Sequence, residues 1–434
     1  MNNKLNLWLS ELKGSASPRI DECVLMLKGI LPRLSQLKNT EQDPEWHGEG
    51  DVHVHTGMVL EALYQILSTA YCDIHGERRQ ALILAALLHD IGKPVCTRRA
   101  EVRGVERVIS PGHEDNGRSY LAYKLCALER EGLSHEVISS ILGLVGEHHM
   151  PKLLVVRNRP EGAYLALSRK ADCELLYYLE VADMTGRNCP DKSIQLDYLE
   201  QFKLFCQEYN VWGSDSDAYK EWRLFLESEV TSFDALTCDF IYAKAIKDRE
   251  EGVITMPEEA IAKSFEYRDD YSHLVVVCAP SGAGKSTWIK NSLPDYKVVS
   301  LDDLREELGG NRANQKIQGQ VLQEAKKRLK QHLSQGHKVV WDATSLRFDF
   351  RKQVIDIGCA YHAMVTLVVF QLPEQAVYEG NKSREHAVPD EVLARQLETA
   401  QWPTPNEAHR FIVINEDYEI IKTEGVFTSR KALF

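Results

Sequence analysis

Hydrophobic residues recur every three to four positions through most of the first 260 residues, which is the spacing of amphipathic helices. Such a pattern covers residues 56–67 and 134–149 and includes Leu176 and Leu179. The best strand signal in this part of the chain is the short run Leu153–Val156. We therefore predict an all-helical N-terminal domain.

From His273 onward, short β-branched runs alternate with helical stretches. The predicted strands are His273–Ala279, Val298–Leu301, His337–Trp341 and Ala363–Leu372, and the clearest helix is Gln315–Gln335. Alternation of this kind predicts a parallel sheet with helices on both faces. The expected organisation is an all-α domain over residues 1–265 and an α/β domain over residues 266–434.

Charge restricts the range of partners. The chain of 434 residues has a net charge of −12 at pH 7, but residues 268–434 contain 22 basic and 22 acidic residues. The acidic excess therefore lies in the first part, where it suits cation binding. A generic basic nucleic-acid coat is excluded, because such binding needs clustered Lys and Arg. A local basic groove, for example around Lys326–Lys330, is compatible with this charge.

The cellular location is predicted from apolar runs and cysteines. The longest strictly apolar run, Ala81–Leu88, is far shorter than the roughly 20 residues of a spanning helix. The N-terminus alternates polar and apolar residues, unlike a signal peptide. Ten cysteines without a CxxC motif are typical of reduced thiols. We expect a cytoplasmic protein with no membrane segment.

A glycine-rich segment, APSGAGKST, lies between a predicted strand and a predicted helix. Its backbone N–H groups are expected to cradle nucleotide phosphates at the helix N-terminus, with Lys285 on the β/γ oxygens and Ser286 on Mg²⁺. Ala279 stands where the pattern usually has glycine, and one methyl at the loop entrance blocks no phosphate-binding N–H. The predicted nucleotide-binding residues are Ser281, Gly282, Ala283, Gly284, Lys285, Ser286 and Thr287.

Three further segments supply candidate kinase residues. Asp302 follows a strand and is suited to accept the proton of an attacking hydroxyl, while Arg305, one helical turn later, is suited to clamp an acceptor phosphate. Asp342 ends another strand, where it either positions Mg²⁺ or simply ends the turn. Arg384 is a candidate transition-state cation, although spacing alone favours a solvated loop arginine.

The combination of GKSTW, SLDDLREEL and NKSREHAVPDEVL resembles the 5′-hydroxyl polynucleotide kinase branch of the P-loop kinases, over about residues 273–402. The resemblance implies that Asp302 is the general base, that Arg305 binds the acceptor phosphate and that Arg384 is the lid arginine. A second lid arginine of that family has no counterpart near Glu379–Gly380, and the spacing from Arg384 to Val388 is one residue short.

Histidines and aspartates near helix ends form a second group of candidates. His89 and Asp90 end an apolar helix, where charged and polar groups are costly unless they are paired or bound to metal. Others are His55, His113, His148, His149 and Asp183. Taken singly, each histidine is better explained as a structural residue. His47, His53 and His75 are predicted to be structural or surface residues.

Taken together, HTGMVLEAL, ALLHDIGKP and the later histidines resemble the helical HD phosphohydrolase family. The resemblance implies that His55, His89, Asp90 and Asp183 hold one divalent metal. It also implies that Asp90 bridges to a second metal on His113 and His148, with His149 as a substitute or additional ligand. Transition metals such as Mn²⁺, Co²⁺ or Ni²⁺ suit these ligands. Lys93 either neutralises a phosphate or is solvated.

The order of the two segments, an HD-like segment followed by a kinase-like segment, resembles the bacterial type of RNA end-healing enzyme in which an HD phosphohydrolase is fused to a polynucleotide kinase. It implies NTP-dependent phosphorylation of 5′-OH ends of RNA or DNA, and hydrolysis of 2′,3′-cyclic or 2′-phosphate ends. An RNA ligase acting downstream is the implied partner.

Two other hypotheses fit the same motifs. In one, an HD nucleotidase is fused to a nucleoside or small-metabolite kinase. In the other, a metal-stabilised HD sensor is fused to a P-loop switch, although the near-complete ligand set argues against it.

Overall fold

The computed structural model describes residues 2–69, 72–312 and 315–427. The chain divides into two compact units, Met1–Ala218 and Tyr219–Phe434. Within the described residues, no helix combines the length and the apolar character that crossing a membrane requires.

The N-terminal unit is a helical assembly with one small hairpin. Its helices are α1 (Asn2–Glu11), α2 (Ile20–Leu27), α3 (Val52–Leu67), α4 (Gly76–Leu88), α5 (Lys93–Cys96), α6 (His113–Lys124), α7 (His135–Glu147), α8 (Met150–Val156), α9 (Glu161–Ser168), α10 (Cys173–Thr185) and α11 (Lys192–Glu208). Short 3-10 helices cover Pro32–Asn39 and Leu125–Glu131, and the hairpin consists of β1 (Arg98–Val102) and β2 (Val105–Ile109). At its centre, α3 packs against α4 and α10, and α7 packs against α4 and α6.

Polar caps fix where the central helices begin. The Asp51 carboxylate accepts a hydrogen bond from the N–H of Val54 at 2.9 Å at the start of α3. Ser134 and Asp172 cap α7 and α10 in the same way. Such caps satisfy backbone N–H groups that have no partner within the helix. They therefore set the register of the three helices that end in, or carry, candidate metal ligands.

Two local features of this unit differ from the sequence prediction. The strand signal at Leu153–Val156 does not correspond to a strand, because these residues belong to α8, where Pro151 in the first turn favours helical geometry and Leu154 is buried. The hairpin β1–β2 was not predicted. Arg103 and Gly104 form its turn with φ angles of 53° and 80°, a left-handed pair that suits a two-residue hairpin connection.

The C-terminal unit alternates strands and helices. Its strands are β3 (His273–Cys278), β4 (Lys297–Ser300), β5 (Lys338–Asp342), β6 (Met364–Phe370), β7 (Arg410–Ile414) and β8 (Ile420–Glu424). Its helices are α12 (Lys220–Glu229), α13 (Ala235–Glu250), α14 (Pro257–Ser264), α15 (Lys285–Ser292), α16 (Leu301–Gly309), α17 (Gln318–Ser334), α18 (Phe348–Ala360), α19 (Glu374–Lys382) and α20 (Asp390–Glu398), with 3-10 turns at Gln315–Ile317 and Pro405–Glu407.

The sheet has the order β4-β5-β3-β6-β7-β8. All neighbouring pairs are parallel except β7 and β8, which are antiparallel. Strands β3 and β6 are buried along their whole length, as expected for central strands covered by helices on both faces. The carboxyl ends of β3, β4 and β5 therefore lie along one edge of the sheet and place their following loops side by side.

The division between the units falls at Ala218–Tyr219, not at the predicted 265–266. In α13, Asp239 Oδ2 faces Arg410 NH1 of β7 at 3.4 Å, and Asp239 Oδ1 accepts the N–H of Phe427 at 2.7 Å. The Phe240 ring lies against His409, with 5.2 Å between ring centroids. Residues 219–265 thus pack as part of the unit that carries the sheet.

Candidate functional site

Three histidines of the N-terminal unit are oriented by the same backbone device. The Nδ1 atoms of His89, His113 and His148 each lie 2.8 Å from the carbonyl oxygen three residues earlier. Such a contact fixes the tautomer with the proton on Nδ1 and leaves Nε2 as the free electron-pair donor. All three rings are therefore prepared to ligate a cation through Nε2.

The first group of predicted ligands converges on Asp90 and Asp183. His55 Nε2 lies 3.0 Å from Asp183 Oδ1 and 3.8 Å from Asp90 Oδ2. His89 Nε2 lies 3.2 Å from the same Asp90 oxygen. The arrangement brings four predicted ligands from α3, α10 and the end of α4 around one point.

The second group lies on the other side of Asp90. His113 Nε2 is 3.2 Å from Asp90 Oδ1, the carboxylate oxygen that does not face His89. Ligand atoms of His113, His148 and His149 lie within 4.8 Å of one another. Asp90 thus presents one oxygen to each group, which is the arrangement that a bridging carboxylate needs.

The polar atoms at the centre are buried without hydrogen bonds among the described residues. They are the Nε2 atoms of His89, His113 and His148 and the Oδ1 atom of Asp183. Buried polar atoms are costly unless they find partners. Mixed imidazole and carboxylate donors match divalent transition metals. The residues present therefore fit two cations, although the role of each residue remains a prediction.

Charged neighbours determine the electrostatics of this centre. Lys93 Nζ lies 2.8 Å from Asp90 Oδ2, and Arg187 NH2 lies 2.6 Å from Asp183 Oδ2. Burial acts to raise the pKa of both carboxyls, but the adjacent cations and histidines outweigh burial and hold both pKa values well below the usual range. Both carboxylates are thus ionised and available to cations.

His148 and His149 differ in access. The pKa of each is held well below its usual value, first by burial and then by neighbouring histidines, so both rings are neutral as metal ligation requires. The side chain of His149 is 29% exposed, whereas His148 as a residue is 1% exposed. His148 therefore lies within the centre, and His149 lies at its accessible side.

Close packing holds the two groups together. A Cβ atom on Gly92 would lie 2.1 Å from the carbonyl oxygen of His113, which is far inside van der Waals contact. Only glycine allows the segment after Asp90 to approach the start of α6 this closely. This approach is what brings His113 to Asp90.

Sequence reasoning missed several residues of this centre. Glu49 lies 2.9 Å from both His47 and His55, and Lys152 pairs with Glu180 at 2.6 Å beside His149. Nothing in the spacing of Glu49 indicates this contact, because it lies in a loop. Arg187 was within reach of prediction, since it follows Asp183 by four residues at the end of α10.

In the C-terminal unit, the glycine-rich loop follows β3 and leads into α15. Gly282 and Gly284 have φ angles of 85° and 80°. A Cβ on Gly282 would lie 2.5 Å from the Val377 carbonyl, and one on Gly284 would lie 2.2 Å from the Tyr418 hydroxyl. Both positions therefore require glycine, for backbone conformation and for space.

Lys285 is folded back on its own loop. Its Nζ donates to the Pro280 carbonyl at 2.8 Å and to the Ala279 carbonyl at 3.3 Å. Burial lowers its pKa, and the carboxylate of Asp342 partly opposes this shift. Burial has the opposite effect on the acid and raises the pKa of Asp342, because it disfavours the charged form of both groups. A half-buried lysine whose charge interacts with a strand-end carboxylate is suited to exchange its carbonyl contacts for phosphate oxygens.

Asp302 and Arg305 form a pair on the first turn of α16. Arg305 NH1 donates to Asp302 Oδ1 at 2.6 Å, and Arg305 NH2 donates to Gln318 at 2.8 Å. The helix is capped by Ser300, which accepts the N–H of Asp303 at 3.2 Å. Neither acid is therefore used as the cap, and the half-exposed Asp302 carboxylate is available to a substrate.

One cleft of about 1670 Å³ is lined by every residue predicted for the kinase site. These are Ser281, Gly282, Ala283, Gly284, Lys285, Ser286, Thr287, Asp302, Arg305, Asp342 and Arg384. Cleft residues that sequence reasoning did not single out include Gln318, Gln396 and Tyr418. They come from separate segments, and only the fold brings them to the loop.

Protein-family models match one segment of each unit. An HD domain model matches residues 55–185, and an AAA domain model matches residues 274–403. Neither model spans half of the chain. No curated protein sequence matches.

Two solved structures resemble parts of the chain. A gluconokinase from Sinorhizobium meliloti 1021 is 19% identical, with 34% of this chain and 83% of that chain covered and a TM-score of 0.26. A structure of the PezAT chromosomal toxin-antitoxin system of Streptococcus pneumoniae is 13% identical, with 40% and 83% covered and a TM-score of 0.28.

Proposed function

We propose that this chain, a helical HD domain followed by a P-loop kinase domain with a mostly parallel sheet, heals nucleic-acid ends. The kinase domain would transfer the γ-phosphate of ATP or another NTP to a 5′-OH end. The HD domain would hydrolyse a 2′,3′-cyclic or 2′-terminal phosphate. RNA is the proposed substrate, with DNA ends as a second one, and a ligase would use the products.

The Asp302–Arg305 pair is the observation that carries this proposal. It lies in the same cleft as the glycine-rich loop, on the segment that follows β4. A carboxylate there would accept a proton from the attacking hydroxyl, and the adjacent guanidinium would exchange its contacts with Asp302 and Gln318 for an acceptor phosphate. A polynucleotide acceptor has such a phosphate next to its 5′-terminal sugar, whereas a free nucleoside has none.

The remaining kinase residues have complementary roles. Backbone N–H groups of the glycine-rich loop and Lys285 would hold the β- and γ-phosphates. Arg384, in the segment after α19, would neutralise charge that develops on the transferred group. Ser286 and Asp342 would hold Mg²⁺, which offsets negative charge on the phosphates when bound.

In the HD domain, the chain supplies ligands and fixed charge. The first group (His55, His89, Asp90 and Asp183) and the second group (Asp90, His113, His148 and His149) would each hold a divalent cation. Divalent cations in such a site polarise a phosphoryl oxygen and lower the pKa of water. Lys93 and Lys152, both largely buried, would balance the negative charge of the phosphate.

We also propose that the protein acts in the cytoplasm. All ten cysteines lie within the described residues and are free thiols. Free thiols are compatible with a reducing compartment.

A single substrate tests both activities. An RNA oligomer with a 5′-OH and a 2′,3′-cyclic phosphate is incubated with labelled ATP and Mn²⁺, and both ends are resolved. We expect label at the 5′ end and loss of the cyclic phosphate. Phosphorylation of free nucleosides with inert oligomers would contradict end healing and would point to a small-molecule kinase fused to a nucleotidase.

Substitutions assign each activity to its domain. Asp302→Ala is expected to abolish phosphorylation and spare hydrolysis, and His89→Ala is expected to do the reverse. Asp303→Asn is the matched control, because this neighbouring acid pairs with Arg312 instead of Arg305. Loss of both activities in either variant would contradict two independent sites.

A further inference from the structure

Glu49 is a buried carboxylate that the predicted ligand set does not include. It lies in the loop before α3, and its side chain is 1% exposed. Its Oε2 accepts the N–H of Asn188 at 2.9 Å, a backbone group 139 residues away in the sequence. The carbonyl of Asn188 in turn accepts the N–H of Gly48 at 3.0 Å. The backbone of Asn188 thus fixes the position of Glu49 and of the loop that carries it.

The other carboxylate oxygen of Glu49 meets two imidazoles. Oε1 lies 2.9 Å from His47 Nδ1 and 2.9 Å from His55 Nδ1. The two rings are arranged edge to face, with 4.9 Å between their centroids. One oxygen therefore lies between two Nδ1 atoms.

His55 is in this respect unlike the other candidate ligands. His89, His113 and His148 direct Nδ1 to a backbone carbonyl, whereas His55 directs it to a carboxylate. A carboxylate oxygen 2.9 Å from Nδ1 electrostatically favours the tautomer with the proton on Nδ1, and this increases the donor strength of Nε2. The Nε2 atom of His55 is the one that faces Asp183 and Asp90.

We infer that Glu49 is the positioning residue of the first ligand group, which holds His55 with Nε2 toward the cation and strengthens it as a ligand. This inference rests on the proposed metal-dependent function of the HD domain. Both carboxylate oxygens are engaged, Oε2 by the Asn188 N–H and Oε1 by the two imidazoles, so the side chain is held in one orientation.

A different reading makes His47, Glu49 and His55 ligands of a third cation, since their ligand atoms lie within 4.8 Å of one another. A neutral imidazole has only one free electron pair. His55 cannot offer Nδ1 to a third cation and Nε2 to the first group at once. The two readings predict different numbers of bound cations, two against three per chain.

The test measures metal binding rather than turnover. Wild-type protein and the variants Glu49→Ala, Glu49→Asp and Glu49→Gln are loaded with Mn²⁺ or Co²⁺ and titrated for affinity, and the Co²⁺ absorption spectrum is recorded. His53→Ala is the control, because His53 lies on the same helix and contacts Asp21. Far-UV circular dichroism and thermal unfolding report the integrity of the domain that carries each substitution.

We expect Glu49→Ala and Glu49→Asp to weaken one of two cation sites by about 10–100-fold and to change the Co²⁺ spectrum. Glu49→Gln, which keeps an acceptor oxygen, should recover affinity to within about threefold of wild type, and His53→Ala should equal wild type. If Glu49→Ala does not fold, the cation affinity of Glu49→Asp tests the inference instead.

Wild-type affinity in the Asp variant, or three cations per wild-type chain, would overturn the inference. The absence of any cation binding by the wild type would instead contradict the proposed function of the HD domain itself. The two failures are therefore distinguishable.

Discussion

Gln396 and Ser281 are joined by two reciprocal hydrogen bonds. The Ser281 N–H donates to Gln396 Oε1 at 2.9 Å, and Gln396 Nε2 donates to Ser281 Oγ at 3.1 Å. Ser281 belongs to the phosphate-binding loop, and Gln396 belongs to α20. This pair fastens the helix that follows the Arg384 segment to the loop that holds the nucleotide.

Gln396→Ala should therefore weaken nucleotide use. The substitution leaves the Ser281 N–H without its partner, which costs about 1–3 kcal/mol when the group is buried. We expect kcat/KM for NTP to fall roughly tenfold while hydrolysis by the HD domain is unchanged. Initial rates over a range of ATP concentrations measure this effect. Glu398→Ala, an exposed position of the same helix, serves as the control, and equal losses in both variants would contradict the assignment.

His148→Ala and His149→Ala should have unequal effects. His148 is buried with an Nε2 atom that lacks a hydrogen bond among the described residues, whereas His149 is partly exposed. We expect His148→Ala to reduce bound metal from two ions to one and hydrolysis by roughly 100-fold, because several kcal/mol of charge stabilisation would be lost. His149→Ala should retain both ions. Metal analysis with steady-state rates distinguishes them, and the exposed His75→Ala should match wild type. The opposite order of effects would assign the ligand role to His149.

Asp239→Ala should destabilise the kinase domain. Asp239 and Arg410 are both fully buried, and removal of one partner leaves a charge inside the protein. Such losses cost about 3–5 kcal/mol. We expect the calorimetric transition that MgATP stabilises to move down by many degrees, while the other transition stays in place. Asp356→Ala removes an exposed pair with Lys352 and should have little effect. A small shift for Asp239→Ala would show that residues 219–265 pack only loosely on the sheet.

The kinase domain should also lose stability in acid through His409. The pKa of His409 is lowered from 6.5 to about 3, first by burial and then by the charges of Lys247 and Lys244. Its Nδ1 accepts the N–H of Val365 at 3.0 Å, so it must be unprotonated in the folded chain. Between pH 6.5 and about 3 the unfolded chain therefore binds more protons, and the free energy of unfolding falls as the pH is lowered through this range.

This contribution is on the order of 5 kcal/mol over the full range. Thermal unfolding of wild type and His409→Gln between pH 7 and pH 4 measures it, and the variant should show a flatter pH dependence. His362→Gln changes an exposed histidine and should follow wild type. Identical slopes for His409→Gln and wild type would exclude His409 as the group concerned.

The sequence allowed much of the fold to be predicted, and it singled out most of the side chains that the structure brings together, for identifiable reasons. Asp90 and Asp183 stand out because carboxylates on buried helix faces need partners. The glycine-rich loop stands out because few other structures require its pattern. Glu49 could not be found in this way, since a loop residue is brought to His55 by the backbone at Asn188. The same holds for Asp239, whose partner Arg410 is remote in the sequence.

Gly92 gives the metal centre a sensitivity that its ligands alone do not show. The space beside this residue is already filled by the His113 carbonyl. A single added methyl would therefore push the segment that carries Asp90 away from the start of α6, which carries His113. Every chemically reactive side chain would still be present, yet Asp90 could no longer reach both of its neighbours. The proposed activity of this domain thus depends on the absence of a Cβ atom at position 92.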